Sequence, residues 1–363
     1  MNKNKNICFF NSCLAWGGGE KWYKDTARQL SKKGYNITFF LNQKSELYKK
    51  IKKEDIELVP IRVGNLSFLN IKKIIKLIKI FRRKKIKIII LNLPSDLKLV
   101  GIAGKLAGVE QIIYRRGSAI PIKNTKLNKF LLNNCVTKII ANSETTKRTI
   151  LQNTNRWLNE KKIKVIYNGI NLNEIDVQKW NYLYKREKKE IILGNAGRLN
   201  KQKGQIYLID IAVELKKRDI DFKILIAGIG DLEKELKEYA KAKKVREKII
   251  FLGFVENIKS FMMSIDIFLL TSLWEGFGYV MVEAMSSKKP VIAFDVSNIS
   301  EIVDNGKTGY LIPDFNINQM CDKIEKIGFD KKIQIEMGEE GYKKVEEKFE
   351  IKNAINELEK MLS

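Results

Sequence analysis

The segment SIDIFLLTSLWEGFGYVMVEAM, residues 264–285, is the strongest indicator of the fold of this 363-residue chain. Its apolar run at 265–270 predicts a buried strand, the glycines after it predict a tight turn, and the following residues have helical spacing. This order places one acid, Glu275, in the turn and a second, Glu283, on the helix. The turn amides and the positive end of the helix would form an anion site between the two carboxylates. Such a site suits a phosphate-bearing sugar, because carboxylates accept bonds from hydroxyl groups.

Short apolar runs alternate with helical spacing along the whole chain, and each run predicts one strand. Strands separated by helices predict βαβ units and parallel sheets. A polar and aromatic stretch at 171–190 interrupts the pattern and predicts a hinge. We therefore predict an α/β protein with two Rossmann-like domains facing across a cleft. The predicted strands cover residues 7–11, 35–41, 86–91, 111–114, 138–141 and 164–167, then 191–195, 222–227, 248–252, 265–270, 290–294 and 309–312.

The composition excludes several kinds of active site. The chain has no histidine, which excludes Ser-His-Asp and Cys-His nucleophile systems and every His-ligated metal site. The first apolar run is too short for a secretory signal, and no run approaches the ~20 apolar residues that cross a bilayer. The four cysteines show neither zinc nor redox spacing, which predicts reduced thiols in a cytoplasmic protein; they are Cys8, Cys13, Cys135 and Cys321.

Positive charge is concentrated in the first half of the chain, whose overall net charge is +26. Residues 1–180 hold 37 Lys and Arg against 12 Asp and Glu, whereas residues 181–363 hold 31 against 30. Lysine is abundant in both halves, but only the second half balances it with acids. The first half is therefore predicted to face something anionic, such as a membrane surface, a phosphorylated glycolipid or nucleic acid.

Two motifs carry a resemblance to a known family. The stretch EGFGYVMVEAM at 275–285 resembles the E-G-F-G-x-x-x-x-E-A-M signature of the family 4 retaining glycosyltransferases, also called glycosyltransferase group 1, which have the GT-B fold. The stretch GRLNKQKG at 197–204 is similar to that family's diphosphate-binding pattern. The resemblance implies an acceptor-side domain at 1–172, a donor domain at 173–345 and a last helix in 346–363 that packs back on the first domain.

The resemblance also implies roles for single residues. Arg198 and Lys203 would hold a diphosphate, since a guanidinium fork and an ammonium group both suit phosphate. Glu283 would accept bonds from ribose hydroxyls, and Glu275 would contact the donor sugar as a catalytic residue. Solvated basic loops and plain tight turns are the alternative explanations of these motifs. The implied donor-binding set is Gly18, Arg198, Lys203, Gly228, Phe254, Gly276, Phe277, Gly278 and Glu283.

The implied reaction moves a hexose from a nucleoside diphosphate to an acceptor hydroxyl with retention of the anomeric configuration. Family members commonly carry a first-domain histidine that contacts the donor sugar, and this chain has YRRGS at 114–118 about where it would fall. Arg116 is the candidate for a second catalytic residue, which would stabilise charge on the departing phosphate. Whether Arg115 or Arg116 replaces the histidine, or binds an anionic acceptor, stays open. Neither a metal nor another cofactor is expected, because Arg and Lys neutralise the diphosphate.

The stretch NIKKIIKLIKIFRRKK at 70–85 predicts an amphipathic helix. Its apolar residues share one helical face; they are Ile71, Ile74, Ile75, Ile78 and Phe81. Lysines and arginines fill the other face, and no acid occurs between residues 58 and 95. We expect the apolar stripe to pack inward and the basic face to rest on anionic lipid, at about 1 kcal/mol per well-placed charge. A basic face that is only solvated is the alternative.

The leading hypothesis is a glycosyltransferase at the cytoplasmic face of the inner membrane. It would use a nucleotide-sugar donor and an anionic glycolipid or glycan acceptor, in lipopolysaccharide or other cell-surface glycan assembly. A nucleotide-sugar epimerase on the same fold is one alternative, although the missing histidine counts against it. A basic nucleic-acid-binding protein is the other, but no nucleic-acid module is recognisable, so nucleic acid is not expected as a partner.

Overall fold

The computed structural model describes residues 5–176, 179–186 and 189–363 of the chain. The chain divides into two compact units, Met1–Gly169 together with Ile351–Ser363, and Ile170–Glu350. Each unit contains one sheet of parallel strands flanked by helices. The prediction of an α/β protein with two Rossmann-like units is therefore confirmed. The predicted hinge at 171–190 includes residues 177, 178, 187 and 188, which lie outside the described residues.

The first unit is built on a seven-stranded sheet. Its strands are β1 (Asn6–Asn11), β2 (Asn36–Leu41), β3 (Glu57–Pro60), β4 (Ile86–Leu91), β5 (Gln111–Arg116), β6 (Lys138–Ala141) and β7 (Ile163–Val165). They lie in the order β3-β2-β1-β4-β5-β6-β7, and every neighbouring pair is parallel. Strand β4 has the sequence IKIIIL, a nearly continuous apolar run of the kind that a parallel sheet covered on both faces requires.

Helices connect these strands and cover the sheet. They are α1 (Gly18–Lys32), α2 (Glu46–Ile51), α3 (Ile71–Arg83), α4 (Pro94–Ala107), α5 (Lys126–Phe130) and α6 (Glu144–Gln152), with 3₁₀ turns at Ser67–Leu69 and Glu160–Lys162 and a π turn at Leu131–Cys135. Polar side chains cap the N-termini of several of these helices. Asn70 accepts the backbone N–H of Lys73 at the start of α3, and Ser143 accepts the backbone N–H of Thr146 at the start of α6.

Strand β3 is the one strand among the described residues that the sequence did not predict. Its four residues, Glu57–Pro60, contain two apolar side chains, and the strand lies at the edge of the sheet. Proline cannot donate to a neighbouring strand, so Pro60 is compatible only with an edge or a strand end. Apolar runs therefore identify the covered strands and miss this one. All twelve predicted strands are present, with ends that differ by up to two residues.

The second unit is built on a six-stranded sheet. Its strands are β8 (Ile191–Ala196), β9 (Phe222–Ala227), β10 (Ile249–Gly253), β11 (Ile267–Leu270), β12 (Val291–Phe294) and β13 (Gly309–Ile312), in the parallel order β10-β9-β8-β11-β12-β13. Its helices are α7 (Leu172–Asp176), α8 (Ile206–Lys217), α9 (Glu233–Ala242), α10 (Ile258–Met263), α11 (Tyr279–Ser286), α12 (Ile299–Ile302), α13 (Ile317–Gly328) and α14 (Lys331–Lys344). Shorter turns lie at Lys201–Lys203, Arg246–Lys248, Pro313–Phe315 and Val345–Phe349.

The last helix, α15 (Ile351–Leu362), packs on the first unit against α1. Lysines of the first unit hold its acids, with Lys33 paired to Glu359 and Lys164 paired to Glu357. The ammonium group of Lys5 donates to the carbonyl of Leu362 at 2.6 Å. A cation at the carboxyl end of a helix stabilises the unsatisfied carbonyls and the helix dipole.

Helix α3 departs from the predicted inward stripe. Leu77 and Phe81 are each 1% exposed and pack in the core, but Ile71 is 70% exposed and Ile75 is 46% exposed. The expectation that Ile71 and Ile75 face inward is therefore wrong, because the helix turns its Leu77 side towards the sheet. No helix in the described ranges combines the length and the apolar composition that crossing a membrane requires.

Candidate functional site

The candidate donor residues of the second unit lie in turns at the carboxyl ends of neighbouring parallel strands. Strand β8 lies between β9 and β11. The turn after β8 carries Arg198 and Lys203, the turn after β9 carries Gly228, and the turn after β11 carries Glu275. The chain leaves β8 towards β9 on one side and later returns to β11 on the other. This edge is therefore the switch point at which open α/β sheets bind ligands.

The turn after β8 is shaped by one asparagine and one glycine. Asn200 Oδ1 accepts the backbone N–H of Lys203 at 3.2 Å and caps the 3₁₀ turn Lys201–Lys203. Gly204 then adopts a φ of 59°, and a Cβ atom there would lie 2.2 Å from the carbonyl oxygen of Thr271. No side chain fits in that space. Glycine at 204 therefore lets this turn close against the turn after β11.

Hydrogen bonds join the turns after β8 and β11 into one connected surface. The backbone N–H of Leu273 donates to the carbonyl of Gln202 at 2.8 Å. The side-chain amide of Gln202 donates to the carbonyl of Trp274 at 3.0 Å, across 72 residues of sequence. The hydroxyl of Thr271 donates to the carbonyl of Lys203 at 3.2 Å. The two motifs singled out in the sequence are thus adjacent in the structure.

An ion pair lies at the centre of this surface. Lys203 Nζ lies 2.6 Å from Glu275 Oε1, with the Glu275 side chain 5% exposed and the Lys203 side chain 20% exposed. Ser272 donates its hydroxyl to the same Oε1 at 2.6 Å, and the backbone N–H of Glu275 donates to Ser297 Oγ at 3.2 Å. Burial strengthens the attraction between the two charges and fixes the carboxylate orientation. An anion that binds Lys203 must compete with Glu275 or share the ammonium group with it.

The glycines after β9 are required by packing. Gly228 has a φ of 141°, and a Cβ atom on it would lie 1.9 Å from the carbonyl oxygen of Gly197. A Cβ atom on Gly230 would lie 2.2 Å from the carbonyl oxygen of Leu199. The backbone N–H of Leu199 donates to the carbonyl of Ile229 at 3.0 Å. The tight turn explains Gly228 without a ligand, and it holds this backbone beside the turn that contains Arg198.

The residues that follow Glu275 lead into α11. Phe277 is 3% exposed, and its ring lies 5.3 Å from the Tyr279 ring and 5.7 Å from the Phe349 ring between centroids. Its side chain is therefore a core residue, and only its backbone remains for ligand contact. Gly276 is half-buried, and Gly278 begins the helix with a φ of 80°. Glu283 is half-buried on the second turn of α11.

Two further candidates are exposed. Arg198 follows β8 directly and has an exposed side chain. Phe254 follows β10, next to β9 in the sheet, and is 68% exposed. A large exposed aromatic ring at the carboxyl edge is available for stacking on a planar ligand. Both residues lie at the same edge as the Lys203–Glu275 pair.

The candidates in the first unit are held by contacts within that unit. Arg116 is 9% exposed and donates to the carbonyl of Ile120 at 2.6 Å and to the hydroxyl of Tyr114 at 3.2 Å. Arg115 is 2% exposed; its guanidinium lies 4.3 Å from the Trp22 ring centroid and donates to Asn168 Oδ1 at 2.7 Å. Alternation along β5 sends the two guanidinium groups to opposite faces.

Gly18 is exposed at the first residue of α1.

The first unit also contains two buried acids that the sequence analysis did not single out. Glu20 is 7% exposed and accepts the side-chain amide of Asn11 at 3.1 Å. Asp96 is 0% exposed and accepts both the backbone N–H and the hydroxyl of Ser12, at 3.0 and 2.6 Å. Burial raises the pKa of Asp96 to about 6, although the Ser12 bonds oppose this.

A sequence signal for these acids existed. Glu20 directly follows three glycines, and Asp96 is an isolated acid in the first turn of α4, in a strongly basic region. In the ranges that the structure describes, no group of three or more Cys, Asp or Glu side chains is arranged to hold a metal ion. The charged residues that the two motifs supply at this edge include the Lys203–Glu275 pair, Arg198 in the turn after β8 and Glu283 on α11.

Comparisons with known proteins agree with this architecture. The family model for glycosyl transferases group 1 matches residues 178–344, and the model for Glycosyltransferase Family 4 matches residues 16–174. Between them, the two models span most of the chain.

Similar proteins include the capsular polysaccharide biosynthesis glycosyltransferase CapM of Staphylococcus aureus, 27% identical over 92% of this chain and 90% of that protein. The UDP-Gal:alpha-D-GlcNAc-diphosphoundecaprenol alpha-1,3-galactosyltransferase of Escherichia coli is 26% identical over 76% of each. The structure of Anabaena Alr3699/HepE in complex with UDP has a TM-score of 0.84, with 19% identity over 98% of this chain and 99% of that chain, and shows the same fold. The two matching family models show that the chain belongs to the group 1, family 4 glycosyltransferases.

Proposed function

We propose that this glycosyltransferase moves a hexose from a nucleoside-diphosphate sugar to an acceptor hydroxyl with retention, in the assembly of a cell-surface glycan such as lipopolysaccharide. Lys203 and Arg198 bind the diphosphate, Glu283 accepts bonds from the ribose hydroxyls, and Glu275 contacts the sugar. The names of the S. aureus and E. coli relatives, which concern capsular polysaccharide and a diphosphoundecaprenol-linked sugar, support a surface glycan and a lipid-linked acceptor. The UDP complex of the Anabaena protein supports a nucleotide donor.

The proposed chemistry requires no metal ion and no histidine. The bond between the anomeric carbon and the departing phosphate oxygen breaks, and a bond to the acceptor oxygen forms on the same face of the sugar. The acceptor proton moves to the departing phosphate oxygen. The protein contributes orientation and neutralisation of the developing diphosphate charge by Lys203 and Arg198.

The observation that carries the proposal is the Lys203–Glu275 pair. It lies at the switch point of a parallel sheet, and it joins the two motifs through a network of turn-to-turn bonds. A cation for a phosphate and an oriented carboxylate for a hydroxyl are thereby fixed side by side. Arg198, exposed in the same turn as Lys203, adds a second cation at this edge of the sheet.

Calorimetric titration with UDP, GDP and ADP, followed by their hexose derivatives, tests the donor site. We expect one nucleotide to bind, and Lys203→Ala and Glu283→Ala each to weaken its binding about 10- to 100-fold, the value of one or two charged hydrogen bonds. Lys201→Ala is the matched control, because Lys201 is exposed on the same 3₁₀ turn. It should bind as the wild type does.

Absence of binding to every nucleotide by the folded protein would contradict the donor site. Equal losses in the Lys201 and Lys203 variants would show a general effect of charge in place of a specific contact. Once a donor is identified, the anomeric coupling constant of the product, measured by NMR, reports retention or inversion. An inverted product would overturn the proposed stereochemistry.

A further inference from the structure

The turn Ser67–Leu69 and helix α3 form a surface that combines exposed apolar and exposed basic side chains; we call it the α3 surface. Its apolar residues are Leu66, Leu69, Ile71 and Ile75, which are 70%, 64%, 70% and 46% exposed. Its basic residues are Lys72, Lys76, Lys79 and Arg83, which line the outer face of the helix. Four large exposed apolar side chains within ten residues are unusual for a surface that meets only water.

The surface is held in place by the core beneath it. Leu77 and Phe81 anchor the opposite face of α3, and the Phe81 ring packs edge-on against Phe40 at 5.5 Å between centroids. At 100° per residue, this fixes Ile71, Ile75 and Lys79 on the outward side.

The preceding turn is attached to the same helix. Ser67 Oγ accepts the backbone N–H of Gly64 at 2.9 Å and the ammonium group of Lys73 at 3.3 Å. Lys73 also donates to the carbonyl of Arg62. These bonds hold the turn against α3, so Leu66 and Leu69 extend from an ordered part of the unit.

The surface carries an excess of positive charge. No acid occurs between residues 58 and 95 of the chain. Within the ranges that the structure describes, none of Lys72, Lys76, Lys79 and Arg83 forms an ion pair. The depression on the outer face of α3 is lined by these four residues together with Ile75 and Ile80. An anionic partner would therefore meet several cations and aliphatic side chains at once.

We infer that the α3 surface docks on an anionic lipid bilayer. The aliphatic tips of Leu66, Leu69 and Ile71 enter the boundary between headgroups and acyl chains, while the lysines contact lipid phosphates. A second copy of the chain fits poorly, because two faces of the same positive charge repel each other. Nucleic acid fits poorly as well, because the exposed apolar residues here are aliphatic, whereas single strands are bound by stacking on aromatic rings.

Vesicle flotation of the full chain tests this inference without donor or acceptor, so its outcome is independent of the proposed reaction. One set of vesicles is phosphatidylcholine, and the other is an equal mixture of phosphatidylcholine and phosphatidylglycerol. We expect the wild type to bind the mixed vesicles and to bind the neutral ones at least about 10-fold more weakly, since each lysine near an anionic surface adds attraction. The binding to mixed vesicles should decline at high salt.

Two groups of variants separate the charge from the apolar tips. Lys72→Gln/Lys76→Gln/Lys79→Gln should lower binding to mixed vesicles about 10- to 100-fold. Leu66→Ser/Leu69→Ser, with charge unchanged, should lower it about 10-fold through lost apolar burial. The matched control is Lys44→Gln/Lys52→Gln/Lys53→Gln, three exposed lysines of the same unit whose loss removes the same charge. It should bind within about 3-fold of the wild type.

Three results would overturn the inference. The first is a wild type that does not float with mixed vesicles, and the second is a control triple variant that loses as much binding as the α3 triple variant. The third result combines two measurements: the leucine variant binds vesicles as the wild type does, and the wild type binds a fluorescent DNA duplex more tightly than it binds vesicles. Together these two measurements would assign the surface to nucleic acid. Circular dichroism and the unfolding midpoint of each variant confirm that a loss of binding is not a loss of folding.

Discussion

The Lys203–Glu275 pair of the second unit and the Arg115 and Arg116 side chains of the first unit all place cations at the carboxyl ends of parallel strands. Their partners differ. Lys203 contacts a carboxylate at 2.6 Å, whereas Arg115 donates to an amide oxygen and Arg116 to a carbonyl and a phenol. The Lys203 cation therefore lies against an anion, whereas the Arg116 cation lies against two neutral acceptors, which offset less of its charge.

The difference has a consequence for ligand binding. At the Lys203–Glu275 pair, an incoming phosphate meets a cation that already has an anionic partner, and the carboxylate itself repels the phosphate. Under the proposed function, Glu275 therefore lowers the affinity for the diphosphate of the donor. In the first unit, Arg116 is buried and already donates to a carbonyl and to a phenol.

The largest expected effect comes from removing the acid. Glu275→Gln should lower the transfer rate about 100- to 1000-fold, the usual cost of one oriented polar group at a reacting centre. The same variant should bind the free nucleoside diphosphate about 3- to 10-fold more tightly, because Lys203 loses its anionic partner. Steady-state rates and calorimetric titration measure the two quantities. Glu235→Gln, at an exposed site on α9, is the control for lost charge.

A joint fall of rate and diphosphate affinity in Glu275→Gln would contradict this account. It would show that the acid holds the turn in place and that its charge does not oppose the ligand.

The next largest effect tests the junction between the two turns. Gly204→Ala should lower the free energy of unfolding of the second unit by about 3 kcal/mol, since the added methyl group meets the Thr271 carbonyl and the backbone is left-handed. Gly253→Ala is the matched control: its φ is 68°, but a Cβ atom added there would have no neighbouring atom within 4 Å. It should cost about 1 kcal/mol from strain alone. Calorimetry measures the free energy of unfolding of both variants. Equal losses would show that the close contact between the two turns adds nothing to the cost of Gly204→Ala.

The next prediction concerns Asp96, whose contribution to the free energy of unfolding should change by about 2–3 kcal/mol with pH. Burial raises its pKa from 3.8 to about 6, so its contribution to stability is complete below about pH 3.8 and is lost as the pH rises through about 6. Asp96→Asn keeps the shape of the side chain. In the variant, the amide nitrogen should donate to Ser12 Oγ, and the amide oxygen should accept the backbone N–H of Ser12. The variant should therefore gain stability over the wild type between about pH 4 and pH 7.5.

Calorimetric unfolding at several pH values follows that gain. Asp219→Asn, at a site in the other unit, is the control for the replacement of a carboxylate by an amide. Parallel curves for the wild type and Asp96→Asn would show that the buried carboxyl group does not titrate in this range.

The smallest expected effect concerns Arg116. Arg116→Met should lower the transfer rate about 10-fold, less than the loss at Glu275, because its guanidinium is already engaged by Ile120 and Tyr114. Arg148→Met, on the surface of α6, is the control. An unchanged rate in the folded Arg116 variant would restrict that arginine to a structural role.

Much of the candidate site could be located from the sequence, because its motifs lie in short windows. The strand before Glu275, the glycines after it and the basic turn at 197–204 are all visible in short windows of sequence. Glu20 and Asp96 were not found, because their signals, a run of glycines before Glu20 and a basic region around Asp96, do not show that either acid is buried. Phe277 matched the motif, yet its ring packs on Phe349, which is far away in the sequence.

The alternation of strands and helices, the parallel sheets and the positions of the glycine turns follow from the sequence, because each depends on the spacing of apolar residues and on backbone freedom within a few residues. Three features required the folded structure: the contact of Lys203 with Glu275, the outward orientation of Ile71 and Ile75 on α3, and the burial of Asp96 beside Ser12. Those outcomes depend on which surfaces distant segments cover, and burial then sets the strength of each charge.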